Sequence, residues 1–136
     1  DVFECDKGSG IMTFEIVVYD TPPSNNEFMG NSRNFNEYRR KKEEWHWLMK
    51  AAIKKKPKAP IKRAVVEIKY YFKIRRRRDP DNYSGKFILD PLVNEGILQD
   101  DSFGNVELRL WGGFDKVNPR TEIKVTEIAE EKRKVE

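Results

Sequence analysis

A chain of 136 residues with 38% hydrophobic and 12% aromatic residues can bury one compact core and is too short for two. One cysteine (Cys5) and one histidine (His46) exclude an internal disulfide and a Cys/His zinc cluster, which fits a reducing, cytoplasmic setting, and no apolar run approaches the ~20 residues of a membrane helix. Net charge is only +4, yet Arg33 to Arg78 holds 18 Lys or Arg against 4 Glu, a local +14 that leaves −10 to the remainder, so one region is built to meet a polyanion and another gathers carboxylates.

Residues 1–10 begin with Asp1 rather than methionine and include Gly8-Ser9-Gly10. They read as a flexible lead that need not be native, and they lack the n-region and h-region of a signal peptide. A single domain is expected over 11–128, followed by a charged tail, 129–136. Ile11 to Tyr19 alternates as a strand, with Met12, Phe14, Ile16 and Val18 on one face. Pro22-Pro23-Ser24-Asn25-Asn26 then forms a stiff polar loop, because two prolines remove backbone donors while Ser and Asn favour turns.

Asn34 with Glu37 three residues later resembles a capping box. Behind it Tyr38, Trp45, Leu48, Met49, Ala52 and Ile53 recur at helical spacing, which predicts a long amphipathic helix running to Pro57. Its opposite face carries Arg39, Arg40, Lys42, Lys50 and Lys54. Trp47 lies about 200° from Trp45 and cannot share its core face, so it is a contact for DNA or a partner subunit, or a tryptophan packed under a loop. His46 is structural or superficial, since no nucleophile stands near it in sequence.

Lys62 to Ile74 alternates as a second strand, with Ala64, Val66, Ile68, Tyr70, Phe72 and Ile74 on the buried face. Asn82 to Asn94 reads as a second helix closed by Gly96, with Pro91 ending it early or kinking it. Val106 to Trp111 and Thr121 to Ile128 are alternating segments expected to form an antiparallel hairpin. The fold class is therefore α+β (an α/β sandwich), a small mixed sheet with two helices in the order β-α-β-α-β-β.

The most informative segment is Arg75-Arg76-Arg77-Arg78-Asp79-Pro80-Asp81-Asn82, at the handover from strand to helix. In extended chain, residues two apart project from one side, and Pro80 biases Asp79 away from the helical region, so Asp79 and Asp81 should converge. Asp100-Asp101 follows the second helix, and a short helix could return that loop toward them. Such carboxylates either take up protons or hold a hard cation, and an oxygen-only donor set favours Mg²⁺, with Mn²⁺ as a substitute. A metal there can activate water and stabilise a transferring phosphoryl group, and Lys86 could reach the scissile phosphate. The alternatives are an N-capped turn at Asp81 or Asn82, a solvated turn at Asp100-Asp101, and a plain ion pair between Lys86 and Asp90. A calcium loop fails, because Tyr83 and Ser84 occupy places that need a ligand and a glycine. Arg75, Arg76, Arg77 and Arg78, with Lys50 and Lys54, would contact phosphates and offset the repulsion between the acids and DNA.

The motifs Pro22-Pro23-Ser24-Asn25-Asn26, Arg76-Arg77-Arg78-Asp79-Pro80-Asp81-Asn82 and Leu98-Gln99-Asp100-Asp101-Ser102, in this order between Met12 and Ile128, resemble the RusA family of Holliday junction resolvases of bacteria and their prophages. The resemblance implies a homodimer that binds four-way junctions and cuts two opposed strands symmetrically. It places Mg²⁺ on Asp79, Asp81 and Asp101, with Asp100 and Asn82 as supporting neighbours, and the family's lysine on Lys86. Two departures stand out: Lys86 comes one residue later than in the family pattern, and Pro80 replaces an apolar residue between the paired acids. Trp47 and Trp111 are the apolar groups left for a subunit interface. The rival readings are a nucleic-acid-binding accessory protein without cleavage, which would gain nothing from carboxylates facing phosphates, and a nuclease for flaps or RNA.

Overall fold

The computed structural model describes residues 2–6, 11–25, 32–83 and 85–129, with the backbone alone at 2–6, 32–34 and 81. Its strands are β1 (Val2–Asp6), β2 (Ile11–Val18), β3 (Ala64–Phe72), β4 (Val106–Phe114) and β5 (Arg120–Glu127). Two helices, α1 (Ser32–Ala52) and α2 (Lys86–Asn94), and a 3₁₀ turn (Pro80–Tyr83) lie between them. From Ile11 onward the order is the predicted β-α-β-α-β-β. Val2–Asp6 is not a bare lead: it pairs antiparallel with β2, Phe3 opposite Phe14, and adds an edge strand. Gly8-Ser9-Gly10 and residues 130–136 lie outside the described residues.

The sheet runs β1-β2-β5-β3-β4. Its central strand β3 is antiparallel to β5 and parallel to β4. The predicted hairpin between the last two strands is therefore corrected: β3 lies between β4 and β5 and bonds both. The reason lies in β3's sequence, where Ala64, Val66, Ile68, Tyr70 and Phe72 are all buried, so the strand belongs in the middle of the sheet. Asp115 to Pro119 instead carry the chain across the end of β3, where the Asp115 amide donates to the Phe72 carbonyl at 2.8 Å.

Both helices cover the same sheet face. Trp45 and Met49 of α1, and Phe87, Ile88 and Leu92 of α2, join Phe14, Ile16, Ile68, Ile123 and Val125 in one buried cluster. α1 begins at Ser32, ahead of the expected cap at Asn34, and ends at Ala52 rather than Pro57. Ile74 is exposed, because β3 stops at Phe72. The second helix is split: a 3₁₀ turn takes its predicted first residues, α2 starts only at Lys86, and Pro91 sits buried inside it without ending it. Gly96, at φ +81°, closes that end as predicted.

Glu95, just past α2, accepts from Lys56 Nζ at 3.1 Å and lies 3.3 Å from His46 Nε2. One nearly buried carboxylate thus joins α1, the linker after it and the end of α2, and His46 is structural, as the sequence implied. No helix among the described residues is long and apolar enough to cross a membrane.

Gly85 precedes α2 with φ +79°, and a Cβ there would come within 3.2 Å of Ile68 Cδ1 and 3.4 Å of both Leu108 methyls. Gly85→Ala should lower unfolding free energy by about 1–2 kcal/mol through left-handed strain alone. Urea unfolding of the purified variant measures it, and an unchanged midpoint would contradict this close packing.

Candidate nucleic-acid and metal site

The connection from β3 to α2 is mounted on two aromatic side chains of β3. Tyr83, closing the 3₁₀ turn, packs edge-on against Phe72 at 5.1 Å between centroids, and the Tyr70 hydroxyl donates to the Tyr83 carbonyl at 3.1 Å. Burial pushes the Tyr70 phenol well above its ordinary pKa, so it keeps its proton and its donor role. At the other end of the segment Arg78 lies with its guanidinium 4.0 Å from the Phe72 centroid and donates from Nη1 to the Ile74 carbonyl at 2.8 Å. Its Nε is buried and has no hydrogen-bond partner among the described residues. Arg78 is thereby committed to the fold.

Asp79 stands between these two anchorages, half-exposed, beside a small recess of about 50 Å³ that Leu110, Trp111 and Gly112 also line. Arg77 Nε lies 3.4 Å from its carboxylate, an exposed pair that a competing cation can displace at little cost. Asp81 sits within the 3₁₀ turn, where the Asn82 amide donates to the Asp79 carbonyl at 3.0 Å. The chain is thus not extended there, and the shared direction expected of Asp79 and Asp81 does not follow from this backbone. The Asp81 side chain, Ser84 and Asn26 lie outside what the structure describes. Asn82 is half-buried.

Lys86 is the first residue of α2. Asp90, its imagined ion-pair partner, bonds Lys42 of α1 instead at 2.8 Å. That hydrogen bond raises the Lys42 pKa, with weaker attraction from Tyr38 and Asp101. Lys42 is therefore not a free cation of the outer helix face. Lys86 Nζ lies 5.4 Å above the Tyr38 ring, which in turn packs on Phe87. A lysine at a helix N-terminus opposes the macrodipole, and the arrangement becomes favourable when an anion arrives.

Asp101 borders an open groove of about 740 Å³ beside Val106, Glu107 and Leu108, at the N-terminal end of β4. Its amide donates to Asp100 Oδ1 at 2.9 Å, and both residues are exposed. The recess beside Asp79 and the groove beside Asp101 share no lining residue, but the β4 residues nearest each other in the two linings, Leu110 and Leu108, are only two apart. Among the described residues no group of three His, Cys, Asp or Glu side chains is arranged to hold a metal ion, and that set does not include the Asp81 carboxylate. The exposed donors nearest the turn are carboxylate oxygens, the chemistry of a hard cation.

Arg75, Arg76 and Arg77 are exposed, Arg75 above the Phe114 ring at 5.1 Å. Arg39, Arg40 and Lys50 are exposed on α1 as predicted, as is Trp47, over which Lys50 Nζ sits at 5.2 Å, whereas Lys54, also exposed, comes two residues past the helix's end. Trp111 is partly exposed on the uncovered sheet face. What the sequence did not disclose is the scaffold: Tyr70, Phe72 and Tyr83 read as core residues or turn filler, and only their adjacency to the acids could have singled them out.

No curated protein matches the chain. Residues 20–126 match the family described as Endodeoxyribonuclease RusA, a span that holds the proline-rich loop, the arginine run and all three acids. The chain belongs to the RusA endodeoxyribonuclease family.

Proposed function

We propose that this chain is a Mg²⁺-dependent, structure-selective endodeoxyribonuclease that resolves four-way DNA junctions in recombination and repair, a cytoplasmic enzyme of bacterial or prophage origin. The observation that carries the reading is a half-exposed carboxylate, Asp79, that follows closely on three exposed arginines, with Arg77 Nε 3.4 Å away, and precedes Lys86 at the start of a helix. Carboxylates alone would repel DNA. Arg75, Arg76 and Arg77 offset that repulsion and hold the strand's phosphates, while Lys86 offers its charge to the phosphate oxygens where negative charge develops.

Asp79 and Asp81 would hold the metal, and Asp101 would complete the set, with Asp100 and Asn82 supporting. When bound, Mg²⁺, or Mn²⁺ in its place, supplies an activated water and charge stabilisation. The groove that Asp101 borders is lined by Leu89 of α2 and by Leu108, against which the residue ahead of α2 also packs, and this supports Asp101 as the third member of the set.

Replacing Asp79, Asp81 or Asp101 with Asn should reduce cleavage of a labelled four-way junction by about 100-fold or more while leaving binding near wild type. The same assay on duplex and single strand, with Mg²⁺ or with EDTA, reads substrate choice and metal dependence. A variant that cuts at the wild-type rate does not carry a metal ligand at that position.

Two opposed strands need two sites. A folded chain of this length has a radius of gyration of about 14 Å, too small for one site to serve both strands at once. A twofold dimer supplies the second and matches the symmetry of the junction, with Trp47 and Trp111 as apolar groups available to the interface. Heterodimers of wild-type and Asp81→Asn subunits should therefore nick one strand without completing resolution, read on denaturing gels against paired cuts by the wild type. Full paired cleavage by a verified heterodimer would overturn the two-site mechanism.

A further inference from the structure

The linker from α1 to β3 is as basic as the arginine run, and the reading above leaves it without a role. Lys54-Lys55-Lys56-Pro57-Lys58-Ala59-Pro60-Ile61-Lys62-Arg63 carries six cations in ten residues and no acid. Lys54 Nζ caps the Ala51 carbonyl at 2.9 Å, and Lys56 bonds Glu95. Lys55 and Lys58 are exposed, and neither forms an ion pair among the described residues. Lys58, Lys62 and Arg63 line an open groove of about 850 Å³. Its carboxylate, Glu127, already accepts from the Met12 amide at 3.2 Å.

The fold sets the distance between this linker and the arginines. The linker enters β3 and the arginine run leaves it, so the two lie at opposite ends of a strand about 27 Å long. α1 bridges them. Its early residue Tyr38 packs on Phe87 at the start of α2, while Lys56, beyond its end, meets Glu95 past the end of α2. The two helices therefore run side by side in one direction, from the arginine end to the linker end. At 21 residues α1 spans about 31 Å, and its outward stripe carries Arg39, Arg40 and Lys50, with Glu43 the one acid among them. One turn of duplex DNA is about 34 Å long.

We propose that Lys55, Lys58 and the neighbouring linker cations form a distal phosphate site that grips a duplex arm of the DNA substrate about one helical turn from the point of cleavage. The α1 stripe is the track between the two stations. Phosphates rather than bases are the partner, because exposed lysines on a chain stiffened by Pro57 and Pro60 present point charges and no planar fork for base edges. The inference rests on the proposed DNA-cleaving function and adds to it a minimum arm length.

The test compares wild-type protein and Lys55→Gln/Lys58→Gln on four-way junctions with arms of roughly 6, 10 and 20 base pairs, by fluorescence anisotropy across a salt series. On the longest arms the variant should bind about fivefold or more weakly at ~0.1 M salt, with a log–log salt slope shallower by about 2. On the shortest arms the two proteins should bind alike, and Lys55→Arg/Lys58→Arg should restore long-arm affinity. Hydroxyl-radical footprinting of the wild-type complex should protect sugars about one turn from the cut, which tests the site without any variant. Equal losses on all arm lengths, an unchanged slope or no distal protection would overturn the proposal. Wild-type protein that binds no junction at all would instead overturn the DNA-cleaving function itself, and wild type that binds and cuts while the linker variant matches it removes only the distal site.

Discussion

The stack of Tyr70 and Phe72 at the end of the central strand fixes where the acidic turn can be. Each tie to that platform is small: an aromatic edge contact, a cation over a ring and one hydrogen bond contribute about 1 kcal/mol each. Ordering a backbone residue costs a similar amount, so no single tie would hold the six residues from Arg78 to Tyr83. The fold uses both ends. Tyr83 closes one end against Phe72 and the Tyr70 hydroxyl, and Arg78 closes the other over the same Phe72 ring and on the Ile74 carbonyl. Asp79 is held between them while its own carboxylate stays half in water, the condition a group needs if it is to meet a cation and a phosphate. One arginine of the run is consumed in building the site, which leaves three to serve it.

The parallel pairing of β3 with β4 has an equally firm consequence. A connection between two parallel neighbours must carry the chain back to the end where the first strand began. Its helix here is short: α2 has nine residues, about 13 Å, roughly half the length of β3, so it cannot make the whole return. Gly85 ahead of it already lies against Ile68 and Leu108 in the middle of β3 and β4, which means that the chain folds back over the sheet before the helix begins. Leu108 also lines the groove that Asp101 borders, so the connection brings the start of α2 and the loop ahead of β4 to the same stretch of the edge strand.

Much of this was legible in the sequence where a single periodicity decided the outcome. Phe14, Ile16 and Val18, the five alternating residues of β3, and Trp45 with Met49 are buried as their spacing requires, and Trp47 is left outside for the same geometric reason. Failures came where two readings shared one pattern. Alternation in Val106 to Trp111 and in Thr121 to Ile128 marks strands but is silent about which neighbour each one bonds, and proximity in sequence favoured the wrong partner. Asp79-Pro80-Asp81 satisfies an extended chain as readily as a 3₁₀ turn, and the hydrogen bond that the Asn82 amide donates to the Asp79 carbonyl decided between them. Val2–Asp6 is only five residues long and two of them are acidic, so nothing in it outweighed the glycines that follow.

Charge placement divides the molecule into two unlike faces. On the uncovered side of the sheet, cations are answered locally: Arg109 bonds Glu107 and lies near Glu67, and Arg120 bonds both Asp115 and Glu122 while stacking on Tyr71. The Asp115 carboxyl is held below its ordinary pKa, first by the Asn118 amide and then by Arg120, which favours its charged form. On the helix side the inner cations are answered in the same way, Lys42 by Asp90 and Lys56 by Glu95, whereas Arg39, Arg40, Lys50 and Lys55 face water. Pairing is thus complete where the fold needs it and withheld along one outward track. Unpaired like charges cost stability through mutual repulsion, and that cost is recovered only when a polyanion lies along them. The same division explains why the net charge understates the molecule: Glu107, Asp115 and Glu122 count against the helix-side excess, yet they stand on the uncovered face, bonded to their own arginines.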